Sequence, residues 1–525
     1  MAEKNKNKIT RRDVLKSLST IPLFGVFAYD YWKKKTEENL KKRPFNVKLN
    51  LDSEKSSQAP AVAKNSGQVL KLGVIGVGNR ATALLKALGF LDPLSYESIL
   101  KNSKTPEKAN ARLQSFFNQS MLNVQVIAVC DVFDLHRDKG VRIVSKGMQP
   151  NGEAADFKGV KKYKRYQDLL ADKEIDAVIV ATPDFHHAEI TIAAAKAGKH
   201  VYCEKAMTRT EEELHEVYKT VKNSGIVFQL GHQLSKSESY KRAREAVEKN
   251  IIGKITLIET TTNRNTPSGA WIRHLDSKGN LKPGSPKTID WDLWLGNAPK
   301  VPFSIERYYD WPKWFDYDTG LAGQLFSHEI DGVNQIMGFG IPKTVTSSGG
   351  IYFYKDERDM PDTFQSVLEF PDKGFTVVYS ASLANSRSRG RVYMGHDGSM
   401  EVGGSLKILA DGNSTKYKDK IRSGLIKTSQ PIYSYPKKNI EIDGLTTATE
   451  KYYAERGLMN TSVGGKSIDI THLHIKEWVD AIRNGGDTAC NIEKAFMDTV
   501  SVLMVHKSYV EKRRLEWDPV KKRII

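Results

Sequence analysis

The chain has 525 residues, 80 Lys+Arg against 62 Asp+Glu for a formal charge of +18, and only three cysteines. That length exceeds one ordinary core, so two domains with extra segments are expected; the absence of any apolar run of about 18 residues excludes a multi-span membrane protein. The sparse, odd set Cys130, Cys203 and Cys490 excludes a disulfide framework. Residues 1–66 hold 15 Lys+Arg against 7 Asp+Glu, which leaves the rest of the chain a thinly spread charge and no nucleic-acid motif, so no nucleic-acid partner is expected.

The first segment reads Thr10-Arg11-Arg12-Asp13-Val14-Leu15-Lys16, followed by a modest apolar stretch from Leu18 to Tyr29. It resembles a twin-arginine export signal, with Val14 where the pattern has Phe. No clear cleavage site follows, and Lys33-Lys34-Lys35 comes soon after. The expectation is a periplasmic or exported protein, with retention as a weak N-terminal anchor or a cytoplasmic location as alternatives. Residues 40–66 read as a linker, so 1–66 forms a signal-like segment and linker.

A dinucleotide-binding domain is expected over residues 67–231. Val69–Ile75 is a buried strand by composition, followed by Gly76-Val77-Gly78-Asn79-Arg80-Ala81 and a helical pattern at Ala83, Leu84, Leu85 and Leu88. The first Gly permits a tight turn, the second lets backbone N–H groups approach a pyrophosphate, and Ala81 supplies the small residue for helix–strand packing. A helix N-terminus then faces the phosphate charge. Val124–Cys130 is the next strand, and Asp131 ends it, where a carboxylate can accept from ribose hydroxyls and repel a 2′-phosphate. Asp131 lies 53 residues past Gly78, against about 20 in the usual fingerprint, so residues 90–122 are expected to be a mostly helical insertion. NAD is favoured, and nearby Arg137 leaves NADP open.

Further strands are expected at Ile175–Ala181, His200–Cys203 and Ile226–Leu230, with helices over 188–197 and 210–223 between them. Alternating strands and helices imply a doubly wound parallel sheet, whose ligands bind beyond the carboxyl ends of the strands. Thr182, Pro183, His187, Glu204 and Lys205 all stand near such ends. The stretch 263–320 is rich in Trp, Tyr, Arg and Asp, which suits pyranose recognition; Arg264, Asn265, Tyr317 and Asp318 are its substrate candidates, while Trp291 and Trp294 read as core. His472 and His474, two residues apart without a third ligand, do not make a metal site, and no metal is expected. The C-terminal helices are expected to pack back on the dinucleotide-binding domain.

The Gly76–Ala81 turn, the segments ATPDFHHAE (181–189), AGKHVYCEKAM (197–207) and DWDLWLGNAP (290–299), and GLAGQLFSHEID (320–331) occur in an order that resembles the Gfo/Idh/MocA oxidoreductases. The resemblance implies an α/β fold: the Rossmann domain followed, over 232–525, by an α/β domain with a large, mostly antiparallel sheet that covers the nicotinamide and makes a homo-oligomer interface. It implies cofactor contacts at Gly76, Gly78, Asn79, Arg80, Asp131, Thr182, Pro183, His187, Glu204 and Lys205. The family's E-K-P stands here as Glu204-Lys205-Ala206. Its D-x-G-x-H-x-x-D reads Gln324 to Asp331, so His328 and Asp331 match and Gln324 replaces the first Asp.

Lys205 and His328 are the catalytic candidates. A carbinol that loses hydride must also lose its hydroxyl proton; imidazole titrates near neutrality, and a desolvated lysine can polarise the same oxygen. Gln324 can hydrogen-bond a sugar hydroxyl but cannot take its proton, which leaves Glu329 as a further acceptor if it faces the site. Asp331 completes the substrate set. The expected activity is NAD(P)-dependent hydride transfer at a hydroxyl or carbonyl of a sugar, cyclitol or glycoside. The alternatives are a glycoside-cleaving enzyme that oxidises its sugar transiently with tightly bound NAD, and a non-catalytic nucleotide-binding scaffold.

Overall fold

The computed structural model describes residues 68–267, 273–276, 278–435 and 460–525. The twin-arginine-like segment and Trp271 lie outside them.

The first domain follows the expected alternation. β1 (Leu70–Ile75) runs into α1 (Asn79–Ala87), and the insertion forms α2 (Pro93–Asn102) and α3 (Pro106–Phe117). Both inserted helices start on strong local signals. Asp92 accepts from Leu94 N and Thr105 from Lys108 N, each with Pro at the first helical position. α3 buries Leu113 and Phe116 against Leu91 in a small cluster of their own. The long spacing to Asp131 is therefore two added helices, not a different fold.

β2 (Val124–Cys130), α4 (Asp134–Lys146), β3 (Lys161–Tyr163), α5 (Tyr166–Ala171), β4 (Ala177–Val180), α6 (His187–Lys196), β5 (His200–Cys203), α7 (Glu211–Ser224) and β6 (Phe228–Leu230) complete the domain. The sheet order is β3-β2-β1-β4-β5-β6, and each pairing is parallel. The order reverses between β1 and β4, the crevice where such sheets bind ligands. α7 carries a Thr210/Glu213 capping box and ends on left-handed Gly225.

α8 (Glu238–Glu248) leads into β7 (Ile255–Thr261), and α9 (Ser327–Met337) follows a long aromatic stretch. The remaining strands are β8 (Thr344–Gly350), β9 (Thr363–Phe370), β10 (Phe375–Ser382), β11 (Arg391–Gly395), β12 (Gly398–Val402), β13 (Leu406–Ala410) and β14 (Tyr433–Tyr435), then the hairpin β15 (Asn460–Val463) and β16 (Lys466–Asp469). α10 (Ile470–Asn484), α11 (Ile492–Glu511), β17 (Leu515–Asp518) and β18 (Arg523–Ile524) end the chain. Ten of these strands form one sheet in the order β14-β13-β12-β11-β7-β10-β9-β8-β17-β18. It is antiparallel except where β7 and β10 run parallel. Burial alternates strictly along β10, so one face meets the core. There Val333 and Ile336 of α9 share a cluster with Val345, Tyr379 and residues of α11.

α10 instead places Ile475, Trp478 and Val479 in one core with Leu72, Val74 and Tyr202, packed on the parallel sheet as expected. His472 sits 2.8 Å from the Ala87 carbonyl and His474 lies 3.0 Å from the Tyr202 hydroxyl, so both are tied into this packing. The three cysteines are buried thiols.

Candidate active site

The turn after β1 is built for glycine. Gly76 has φ +81°, and a Cβ there would lie 2.7 Å from Thr182 N and 2.8 Å from the Ala181 carbonyl. Gly78 is the opposite case: nothing lies within 4 Å of where its Cβ would be, so its backbone is open to close approach. It is the N-cap of α1, and no side chain caps that helix. Uncapped N–H groups at the start of a helix suit a pyrophosphate.

Asp131 stands at the carboxyl end of β2. Its Oδ2 accepts from Val77 N at 2.6 Å and its Oδ1 from Phe133 N at 2.9 Å, with the His136 ring 3.2 Å away. Burial opposes its charge, but His136 and the two backbone N–H groups outweigh that and hold the carboxyl below its usual range. Asp131 thus stays charged, and it fixes the glycine turn while lining the cavity. Arg137 points away: its guanidinium donates to the Asp131 carbonyl and to the Asp134 carboxylate. That guanidinium is therefore engaged elsewhere; Lys164 and Arg165 also line the cavity, and the charged Asp131 carboxylate is the feature that fits NAD.

A cavity of about 560 Å³ lies between the domains, within the range usual for small-molecule sites. One wall carries Gly78, Asn79, Arg80, Asp131, Thr182 and Pro183; the other carries Arg264, Trp294, Gln324 and His328. Glu204 and Lys205 sit between them. Arg80 donates to Glu204 at 2.7 Å and to the Gln233 side chain at 3.2 Å, locking the start of α1 to the end of β5.

A hydrogen-bonded lattice surrounds Lys205. Lys205 Nζ donates to the backbone carbonyl and to Oε1 of Gln324, both at 3.2 Å. Gln324 Nε2 donates in turn to Asp184 Oδ2 at 2.9 Å and Asp318 Oδ1 at 3.1 Å. Burial pushes the Lys205 amine down from its ordinary value, against the upward pull of Asp184, Glu204 and Asp318. Burial and the Asp184 charge push the Asp318 carboxyl well up. His328 is driven well below the ordinary imidazole value, first by burial and then by the positive charges of Lys205, His232, Arg80 and Arg391. It therefore faces the cavity as neutral imidazole, able to accept a proton.

Several expected site residues lie elsewhere. His187 is buried behind the cavity wall, with its ring nitrogens 2.6 and 2.9 Å from the carbonyls of Ala206 and Thr182. It positions two site segments and does not touch the cavity. Asn265 is exposed and bridges Ala384 on the sheet side. Tyr317 is fully buried among Phe185 and Trp294, its hydroxyl accepting from Arg307 at 3.2 Å. Asp318 and Asp331 are buried behind the cavity. Gln324 does reach the cavity, but its amide is committed to Lys205 and the two aspartates rather than to a sugar hydroxyl. Glu329 turns away into a buried ion pair with Arg391. Trp291 and Trp294 stack with ring centroids 4.5 Å apart, as core expects, though Trp294 also reaches the cavity.

Asp184 and His136 are among the cavity residues that no sequence pattern marked. Asp184 follows Pro183 at the carboxyl end of β4, and its position at a strand end was the available signal. His136, on the first turn of α4, faces Asp131 and had no motif to mark it.

Comparisons with known proteins identify the family and the fold. The family model described as the oxidoreductase family with NAD-binding Rossmann fold matches residues 70–232, and its C-terminal alpha/beta domain matches residues 237–348. A levoglucosan dehydrogenase of Pseudarthrobacter phenanthrenivorans is 39% identical over 185 residues, 35% of this chain and 41% of its own. A 2,7-anhydro-N-acetylneuraminate hydratase of Escherichia coli is 27% identical over 258 residues, 47% of this chain and 58% of its own. The chain thus spans about half the length of these curated relatives. A solved levoglucosan dehydrogenase in complex with NADH and levoglucosan superimposes with a TM-score of 0.52 at 17% identity, covering 86% of this chain and 99% of that one. At that identity the likeness is one of fold.

Proposed function

The chain belongs to the Gfo/Idh/MocA oxidoreductase family, and from that premise we propose that it transfers hydride between NAD and a hydroxyl-bearing carbon of a sugar, cyclitol or glycoside. One observation carries the reading. A single cavity joins an open glycine turn and a charged Asp131 at one end to Lys205 and a neutral His328 at the other.

Bound NAD supplies the hydride acceptor. Gly78 and the first N–H groups of α1 would hold its phosphates, and Asp131 would accept from its ribose. Lys205, oriented by Gln324, hydrogen-bonds the substrate oxygen, and His328 takes the hydroxyl proton. Asp184 and Asp318 hold the Gln324 amide and so fix the Lys205 position. Arg264 and Trp294 offer a guanidinium and an indole face to the sugar ring.

The test is mass spectrometry of nucleotide released from the purified protein, followed by a panel of aldoses, anhydrosugars, cyclitols and glycosides. A protein that neither retains nor binds any nicotinamide nucleotide would sink the reading. A second reading has support of its own: a similar protein is a hydratase, and hydration is redox-neutral. In that case the sugar is oxidised only transiently on retained NAD, and product accumulates with no net NADH. The scaffold reading would leave turnover equal in wild type and Lys205→Ala. The Arg11-Arg12 motif supports export with the nucleotide already bound, tested by cell fractionation, and a homo-oligomer through the ten-stranded sheet is tested by light scattering.

A further inference from the structure

Beneath His328 lies a cluster that the proposed reaction does not use. His232 follows β6 at the end of the Rossmann sheet, Asp331 is on α9 one turn from His328, and Cys490 and Asp498 belong to the start of α11 and the turn before it. All four are buried to within 1% of full burial. His232 Nδ1 is 3.4 Å from Asp498 Oδ2, 3.6 Å from Asp331 Oδ1 and 3.7 Å from Cys490 Sγ; Cys490 Sγ is 3.6 Å from Asp498 Oδ2. All four ligand atoms lie within 4.8 Å of one another.

Those separations can be compared with the edges of a metal tetrahedron. Bonds of about 2.0–2.2 Å to N and O and about 2.3 Å to S place neighbouring ligands roughly 3.3–3.7 Å apart. The observed spacings fall on that range. A second, independent feature points to a missing partner: Asp331 Oδ2 has no hydrogen-bond partner, although the residue is fully buried. The surrounding amides already hold the carboxylates in place. Asn334 donates to Asp498 Oδ1 at 2.7 Å and Gln335 to Asp331 Oδ1 at 3.1 Å, the outer support that metal carboxylates usually have.

We propose that His232, Asp331, Cys490 and Asp498 form a structural site for one divalent cation of the zinc class. The N, S, O, O donor set suits Zn²⁺, and four protein ligands leave no open position for catalysis. Binding displaces to solvent the Cys490 thiol proton and the Nδ1 proton that His232 holds toward the two carboxylates, and leaves the thiolate and the imidazole nitrogen on the metal. The ion would cross-link the Rossmann sheet, α9 and α11, and so fix the floor under His328.

The experiment uses untagged full-length protein. Elemental analysis of the chelator-dialysed protein after incubation with zinc chloride should give one zinc per chain. Replacement by Co²⁺ should give the visible absorption and the thiolate-to-metal band of a tetrahedral site. Zinc should raise the melting temperature of wild type by several degrees. Cys490→Ser should lose the thiolate band, and Asp331→Asn should bind zinc at least tenfold more weakly; either variant alone suffices should the other fail to fold. Zinc content at background, no cobalt spectrum and an unchanged melting temperature in wild type would overturn the proposal, as would full zinc binding by both variants.

Discussion

Glu329 sits next to His328 on α9, and its pairing with Arg391 of β11 offers a sharp energetic test. The two side chains are 2% and 10% exposed, and Arg391 Nη2 donates to Glu329 Oε1 at 2.5 Å while Nε meets the other oxygen. Both charges have left water, so the pair is not a net reservoir of stability, yet breaking one side leaves a bare buried charge. Arg391→Met should therefore cost about 3–5 kcal/mol. Glu329→Leu combined with Arg391→Met should lie between neutral and about 1–4 kcal/mol more stable than wild type, because the desolvation cost disappears with both charges. The double-mutant cycle is read by urea unfolding followed on tryptophan fluorescence. The double variant should also keep its turnover, since Glu329 takes no proton from substrate. A single-variant cost below about 1 kcal/mol, or a double variant as unstable as the sum of the singles, would refute the reasoning.

Other predictions concern the cofactor and the Lys205 lattice. Gly76→Ala forces a side chain into a left-handed turn against Thr182 and Ala181, at about 1–3 kcal/mol; NADH fluorescence titration should show at least about tenfold weaker binding, since 1.4 kcal/mol is a factor of ten. Asp131→Ser removes charged acceptors worth about 1.5–3 kcal/mol each, so NAD affinity should fall, and the preference for NAD over NADP should narrow as 2′-phosphate repulsion vanishes. Gln324→Asp installs the family residue but places a third carboxylate beside Asp184 and Asp318 and removes the amide donor. Its turnover should fall at least about tenfold, the loss of roughly one such bond; a gain would show that Gln324 does not hold the lattice. Burial holds the Lys205 amine below its ordinary value. The ammonium that polarises the substrate oxygen is therefore lost at lower pH than for an exposed lysine, and the oxidative rate should fall as pH rises through a midpoint below about 10.4. Lys205→Arg should abolish that limb of the pH–rate profile.

The sequence makes the local parts of this site readable. The β1–Gly76–α1 unit is a contiguous pattern, and Asp131 is found although it lies 53 residues past Gly78, because it ends an unmistakable apolar strand. Lys205 and His328 follow from motif resemblance. What stays hidden is whatever depends on distant segments meeting. Gln324 and Asp184 are 140 residues apart, and only the packed fold shows that they share a hydrogen bond. His187 misses the cavity because a helix turns its side chain onto the Thr182 and Ala206 carbonyls, a phase that composition does not reveal. Tyr317 has the right chemistry for a sugar but is consumed by an aromatic cluster that supports the wall. The His232–Asp331–Cys490–Asp498 group spans three separate elements and has no ligand spacing that a motif could detect.

The central claim is that hydride passes between a carbohydrate carbon and nicotinamide in the cavity beside Lys205 and His328. The most direct measurement uses a panel of carbohydrates deuterated at every carbon-bound position, incubated with the NAD-loaded protein, with mass spectrometry of the recovered nucleotide. One deuterium should appear in the reduced nicotinamide with at least one member of the panel, and none with Lys205→Ala. Where the hydride leaves as NADH the label stays in the recovered nucleotide; where it returns within the same turnover the deuterium goes back to the sugar, and the label is read in nucleotide trapped in its reduced form by acid quenching during turnover. Consumption of a carbohydrate by wild-type protein with no deuterium ever appearing in the nucleotide would contradict the claim.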